Sequence, residues 1–203
     1  MEISIKDLMR QARESLSGRW GLAIGAFAVY LLVMVASEVL DYVTSFYLGS
    51  IILFFIIGAL YLGMVTFYLA IARNEKTEVG VIFSGFQNYL KAFGLMLLMT
   101  ILIVIGMFLL IVPGIILALM FGLAFYILAD NPNIGVVEAL KKSKAMMYGY
   151  KLKLFLLSLC FLGLVILSAL TLFIGLFWLV PFMYVTYAKF YETVKANYVE
   201  EGR

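Results

Sequence analysis

Residues 92–129 read AFGLMLLMTILIVIGMFLLIVPGIILALMFGLAFYILA, an apolar run of 38 residues without a charged side chain. As one helix this run would be about 57 Å long at a rise of 1.5 Å per residue. That length is nearly twice the hydrocarbon thickness of a bilayer, which is about 30 Å. The strongest turn signal inside the run is Pro113-Gly114, so the sequence predicts two membrane-spanning helices that reverse direction there.

The other apolar blocks extend this pattern to six predicted spans, at about 20–36, 51–72, 92–112, 115–129, 154–172 and 176–188. The first is expected to be a retained helix, because its apolar run is longer than that of a usual signal peptide. The fourth and sixth are shorter than the roughly 20 residues that spanning requires. We therefore expect shallow turns at Pro113-Gly114 and at 173–175. Hydrophobic residues make up 65% of the chain and charged ones 13%, which excludes an ordinary soluble domain.

All fifteen Lys and Arg residues can be placed on one side of these spans. The stretches 1–19, 73–91, 130–153 and 189–203 hold 4, 3, 5 and 3 of them, and the other connections hold none. Because basic flanks resist translocation, this side is predicted to be cytoplasmic, together with both termini.

A basic amphipathic helix is predicted before the first span. Ser4 and Asp7 resemble a helix N-terminal cap, and Gly18 permits a bend before the interface at Arg19-Trp20. Apolar residues at helical spacing face one way, with basic residues opposite, as in a helix that lies in the headgroup plane. The apolar stripe consists of Ile5, Leu8, Met9, Ala12 and Leu16.

A weak internal repeat relates this helix to a later one. A shift of 131 residues pairs Arg10 with Lys141, Arg13 with Lys144 and Gly18 with Gly149. A third copy is suggested by Phe83, Phe86, Leu90 and Phe93 around Lys91. The fold predicted is all-α, one membrane domain over 1–203. It has six transmembrane helices in three hairpins, each preceded by a cytoplasmic amphipathic helix, with units at about 4–72, 79–129 and 134–190.

The segment 133–153 is the strongest candidate for a binding site. Its lysines suit a surface that binds anionic lipid headgroups or docks a protein partner, and Arg10 and Arg13 would add to it. The alternative is an interfacial linker whose lysines only obey the positive-inside rule. Nucleic acid is not expected, because the basic residues are scattered over short membrane-bound segments. The lysines of this candidate are Lys141, Lys142, Lys144, Lys151 and Lys153.

Catalytic chemistry has little support in the sequence. The chain contains no His, and its single Cys160 lies in an apolar run. None of the predicted spans carries a Lys, Arg, Asp, Glu or His near its middle, where such residues mark proton relays and ion sites. Glu38 and Asp41 share a helical face, but a solvated helix end explains them. The sequence predicts no enzyme activity and no cofactor, and it predicts a kink at Pro181 in the sixth span.

Several segments together resemble a bacterial integral-membrane family, the domain of unknown function nine-seven-five. The segments are RESLSGRW at 13–20, FSGF at 83–86, IVPGII at 111–116, AFYILADNP at 124–132, EALKKS at 138–143 and WLVPF at 178–182. Members of the family tend to carry a basic or His-bearing segment after the glycine that corresponds to Gly149. Here that segment is YKLK, without His. The resemblance implies a compact multi-pass helical protein of a bacterial cytoplasmic membrane, and it brings no activity.

Two functional hypotheses follow from the residues. The first is a non-enzymatic membrane protein that binds lipid or a partner protein through its basic cytoplasmic helices. The alternative is a small permease or lipid-translocating protein with a path between the hairpins.

Overall fold

The computed structural model describes residues 4–200, apart from the side chain of Glu200, and all regular secondary structure in this part of the chain is helical. Arg203, part of the basic C-terminal stretch, lies outside the described residues. The α-helices are α1 Ile5–Leu16, α2 Trp20–Thr44, α3 Leu48–Ala72, α4 Tyr89–Leu109, α5 Ile111–Phe121, α6 Ala124–Asp130, α7 Val136–Met146, α8 Lys151–Ser168 and α9 Leu176–Glu200. The 3-10 helix Val79–Asn88 precedes α4, and a second 3-10 helix, Ala169–Thr171, follows α8.

Five helical segments of the described chain are long and apolar enough to cross a membrane. They are Trp20–Thr44, Leu48–Ala72, Val79–Leu109, Ile111–Asp130 and Lys151–Thr171. The predicted sixth span, 176–188, lies in the first half of α9, which is not one of the five. The second half of α9 carries Lys189, Glu192 and Lys195. These charges lower the mean hydropathy of any segment of α9 that is long enough to span a membrane.

The chain reversal predicted at Pro113-Gly114 lies three residues earlier. Leu110 has an extended backbone, with φ −164° and ψ 146°, and α5 begins at Ile111. Pro113 therefore falls in the first turn of α5, where its missing N–H leaves no bond unmade. Gly114 serves the packing of α5 on α4 instead, since a Cβ there would overlap the Cγ of Met107.

The connection after the first span also differs from the prediction. The predicted spans 20–36 and 51–72 left about 37–50 as their connection, whereas α2 continues to Thr44 and α3 starts at Leu48. The Asp41 carboxylate accepts hydrogen bonds from the backbone N–H groups of Gly49, at 2.6 Å, and Ser50, at 3.0 Å. Asp41 thus satisfies donors at the start of α3, which an N-terminal helix end otherwise leaves unpaired.

The helix α3 is the centre of the bundle. It packs against α2, α4, α6, α9 and the 3-10 helix Val79–Asn88. Two glycines make the last contact close: a Cβ on Gly63 would overlap the carbonyl oxygen of Ile82, and one on Gly85 would overlap that of Ala59. The third surface helix of the predicted repeat is therefore a 3-10 segment that runs straight into α4, with Ile82 and Gly85 buried.

The helices α1 and α7 both end near a glycine with positive φ. Gly18 has φ +76° and Gly149 has φ +83°, a region that glycine adopts at little cost. The next helix begins two residues after each, at Trp20 and at Lys151. α1 packs against α3 and α9, and α7 packs against α4, α5, α6 and α9. The helix breaks at Gly18 and at 173–175 lie where the sequence predicted them.

Candidate functional site

The three lysines of α7 lie on its exposed face. Lys141, Lys142 and Lys144 are all exposed, and none forms an ion pair with another residue in the described part of the chain. The opposite face of α7 is buried and consists of Ala139, Leu140, Ser143 and Met146. The helix therefore presents unpaired positive charge outward while its apolar face is held by the bundle.

Ser143 fixes this orientation of α7. Its hydroxyl donates to the carbonyl oxygen of Met120, at 2.9 Å, and accepts from the backbone N–H of Leu123, at 3.2 Å. These two backbone groups lie where α5 ends and α6 begins, so their usual helical partners are missing. A rotation of α7 that buried its lysines would break both bonds.

The other predicted basic residues are divided between two places. Lys151 and Lys153 are half-buried at the start of α8, seven to twelve positions beyond the lysines of α7. Arg10 and Arg13 are exposed on α1, where Arg10 pairs with Asp7 at 2.8 Å. These arginines therefore lie on a different helix from the α7 lysines, although both helices contact α9.

An ion cluster that the sequence did not reveal joins α3, α6 and α9. Arg73 contacts Asp130 at 2.6 Å and Glu192 at 2.7 Å, and Lys195 also donates to Asp130. Tyr191 donates to the second oxygen of Asp130 at 3.0 Å. Burial alone would lower the pKa of Arg73, but its hydrogen bonds to Asp130 and Glu192 outweigh this and raise the pKa above its ordinary value. The cluster contains two cations and two carboxylates, so it links α3, α6 and α9 without adding net charge.

A cavity of about 570 Å³ lies between α3, α5, α6, α8 and α9. Its volume is within the range of ligand pockets, roughly 300 to 1,000 Å³. Among the described residues that line it, none is charged, and most are aliphatic or aromatic. The lining consists of Tyr61, Met107, Ile115, Ala118, Leu119, Gly122, Leu123, Tyr126, Leu154, Phe155, Ser158, Val180, Met183, Tyr184, Tyr187 and Phe190.

Tyrosines supply most of the polarity of this cavity. The Tyr187 hydroxyl donates to Ser158 at 3.2 Å, whereas the hydroxyls of Tyr61, Tyr126 and Tyr184 have no hydrogen-bond partner within the described residues. Tyr126 stacks on Tyr191 with ring centroids 5.5 Å apart, which places this side of the cavity next to the ion cluster. Such hydroxyls in an apolar wall orient a ligand by a few hydrogen bonds.

The predicted turn residues border the cavity without forming its polar groups. Gly114 packs against Met107, which lines the cavity, and Pro181 is buried beside the lining residue Val180. The sequence did carry one signal for the cavity, because Tyr61, Tyr126 and Tyr184 interrupt otherwise apolar runs. Nothing in the sequence indicated that they come together.

Comparison with known proteins gives one match. A family model described as Protein of unknown function (DUF975) matches residues 1–125 and again residues 101–198. No curated protein and no solved structure matches the chain.

Proposed function

The chain belongs to this family of unknown function, and we propose from its own residues that it is a non-enzymatic membrane protein that binds anionic lipid through its basic helices. A bacterial cytoplasmic membrane is the proposed location. The proposed topology has six spans in three hairpins, with the first half of α9 as the sixth, and α1 and α7 lie at the inner surface. The confinement of Lys and Arg to one side supports this orientation.

The exposed lysine face of α7 carries the proposal. The Ser143 bonds hold the buried face of the helix inward, so Lys141, Lys142 and Lys144 face the surroundings. Each well-placed Lys near an anionic bilayer surface is worth about 1 kcal/mol. Three such residues without carboxylate partners therefore form an attractive surface for phospholipid headgroups.

The test replaces Lys141, Lys142 and Lys144 together with Gln. The protein is extracted in a lipid-retaining polymer disc, and native mass spectrometry measures the ratio of phosphatidylglycerol to phosphatidylethanolamine that stays bound. We expect the ratio to fall by about tenfold or more, because 1.4 kcal/mol corresponds to a factor of ten. The control replaces Lys76, an exposed lysine in the connection between α3 and the 3-10 helix Val79–Asn88, and should leave the ratio nearly unchanged.

An unchanged ratio in the α7 variant would remove this surface from the model. If a protein co-purifies with the wild type and is lost in the α7 variant, the lysine surface binds a protein partner instead of lipid.

The cavity favours a second candidate, a small permease or lipid-translocating protein. A ligand-sized apolar space bordered by α5, α8 and α9 offers room for a path between hairpins. To test this candidate, the protein is reconstituted into vesicles. The assay measures the movement of fluorescent phospholipid between the leaflets and of small solutes across the bilayer. Rates equal to those of empty vesicles would exclude it.

A further inference from the structure

We infer that the cavity between α5, α8 and α9 holds one acyl chain of an anionic phospholipid whose phosphate lies against Lys151. The inference rests on the proposed function for the class of lipid. It adds a site inside the bundle that is separate from the lysine surface of α7. Shape, lining chemistry and the position of Lys151 support it independently.

The cavity is long and parallel to the helices. On α5 its lining residues Ile115, Ala118, Leu119 and Gly122 repeat at helical spacing along one face. On α9 the lining runs from Val180 to Phe190, which is about 15 Å at 1.5 Å per residue. This is about half of the 30 Å hydrocarbon thickness, or one leaflet. An acyl chain that lies along the helices has this shape, whereas a compact polar solute does not.

The lining suits an acyl chain joined to an ester group. Aliphatic and aromatic side chains cover most of the surface, and burial of each methylene against them is worth about 0.8 kcal/mol. The hydroxyls of Tyr61, Tyr126 and Tyr184 have no partner in the described residues, so they can donate to the carbonyl oxygens of a glycerol ester. A charged solute would find no counter-charge in this wall.

The position of Lys151 connects the cavity to a headgroup. Lys151, Leu154, Phe155 and Ser158 occupy one face of α8, because the last three follow Lys151 by three, four and seven residues. These three line the cavity, and Lys151 is the first residue of α8, at the basic end. The backbone of Lys151 is therefore about one helical turn, or about 5.4 Å, from that of the nearest lining residues of α8.

The experiment fills the cavity and counts the bound lipid. Ala118→Phe places a ring in the space, and the matched control Cys160→Phe adds a ring on the exposed side of α8. Native mass spectrometry of each full-length protein measures stoichiometrically bound phosphatidylglycerol after gentle delipidation. We expect one lipid in the wild type and in Cys160→Phe, and its loss in Ala118→Phe. Retention of the lipid in a folded Ala118→Phe variant would overturn the inference.

A second measurement does not depend on a variant that folds. Phosphatidylglycerol with a photoreactive acyl chain is added to the wild-type protein, and the cross-linked peptides are identified. Cross-links to Met183 or Tyr184 are expected, because both line the cavity and neither is among the exposed residues; cross-links confined to outward-facing residues such as Leu159 would overturn the inference.

The two proposals fail separately. Lys151→Gln should lower the preference for phosphatidylglycerol over phosphatidylethanolamine at this site while a lipid stays bound, and an unchanged preference would reject the headgroup assignment. If replacement of Lys141, Lys142 and Lys144 leaves the lipid ratio unchanged while one lipid stays bound in the cavity, only the proposal for the α7 surface fails.

Discussion

Replacement of Asp130 by Asn should loosen the junction of α3, α6 and α9. The Asp130 carboxylate accepts hydrogen bonds from Arg73, Lys195 and Tyr191, and its side chain is only 17% exposed. Removal of one partner from a buried ion pair costs about 3–5 kcal/mol, and from an exposed pair about 0–1 kcal/mol. Asn keeps one acceptor oxygen and Glu192 still pairs with Arg73, so we expect the free energy of unfolding to fall by about 2 kcal/mol.

The assay is thermal unfolding in lipid nanodiscs, followed by the helical circular dichroism signal. A loss of about 2 kcal/mol corresponds to a decrease in Tm of about 4–8 °C for a chain of this size. The matched control is Arg10→Gln, which removes an exposed pair with Asp7 and should lower Tm by about 2 °C or less. If Asp130→Asn and the control lower Tm equally, the cluster does not tie the helices together.

Two further substitutions test the packing that positions the site. Gly63→Ala should destabilise the bundle by several kcal/mol, because its Cβ would meet the carbonyl oxygen of Ile82. The control Gly21→Ala meets nothing within 4 Å, so it should be neutral or stabilise the protein by about 0.5–1 kcal/mol. The same Tm assay distinguishes the two variants, and equal shifts in Tm would refute the close contact at Gly63. Ser143→Ala should lower the free energy of unfolding by about 1–3 kcal/mol, because it leaves the backbone C=O of Met120 and N–H of Leu123 without the Ser143 hydroxyl. Amide hydrogen exchange in α7 should become faster. An unchanged exchange rate would contradict this role of Ser143.

Local signals placed the first helix and the helix breaks. The capping pattern at Ser4 predicted the start of α1, and the Ser4 hydroxyl accepts from the N–H of Asp7 at 3.5 Å. Gly18 was predicted to bend the chain and has a positive φ. Such features depend on residues within one or two turns of each other, so a sequence is sufficient to find them.

Pro113-Gly114 shows where a local signal misleads. The dipeptide is a strong turn signal, but Pro is equally suited to the first turn of a helix. The structure uses Pro113 in that second way and reverses the chain at Leu110. The fit of Gly114 against Met107 involves the neighbouring helix, which a turn rule does not consider.

The sequence by itself determined that the chain is helical and apolar and where α1, α2 and α9 begin, and it predicts that the basic residues share one side. These properties follow from hydropathy, spacing and charge along the chain. Only the tertiary structure decided that Asp130 meets Arg73 and Lys195, 57 and 65 residues away, and that four tyrosines surround one cavity. Which faces of apolar helices meet depends on side-chain shape and close glycine contacts, because all faces of such helices are similarly apolar.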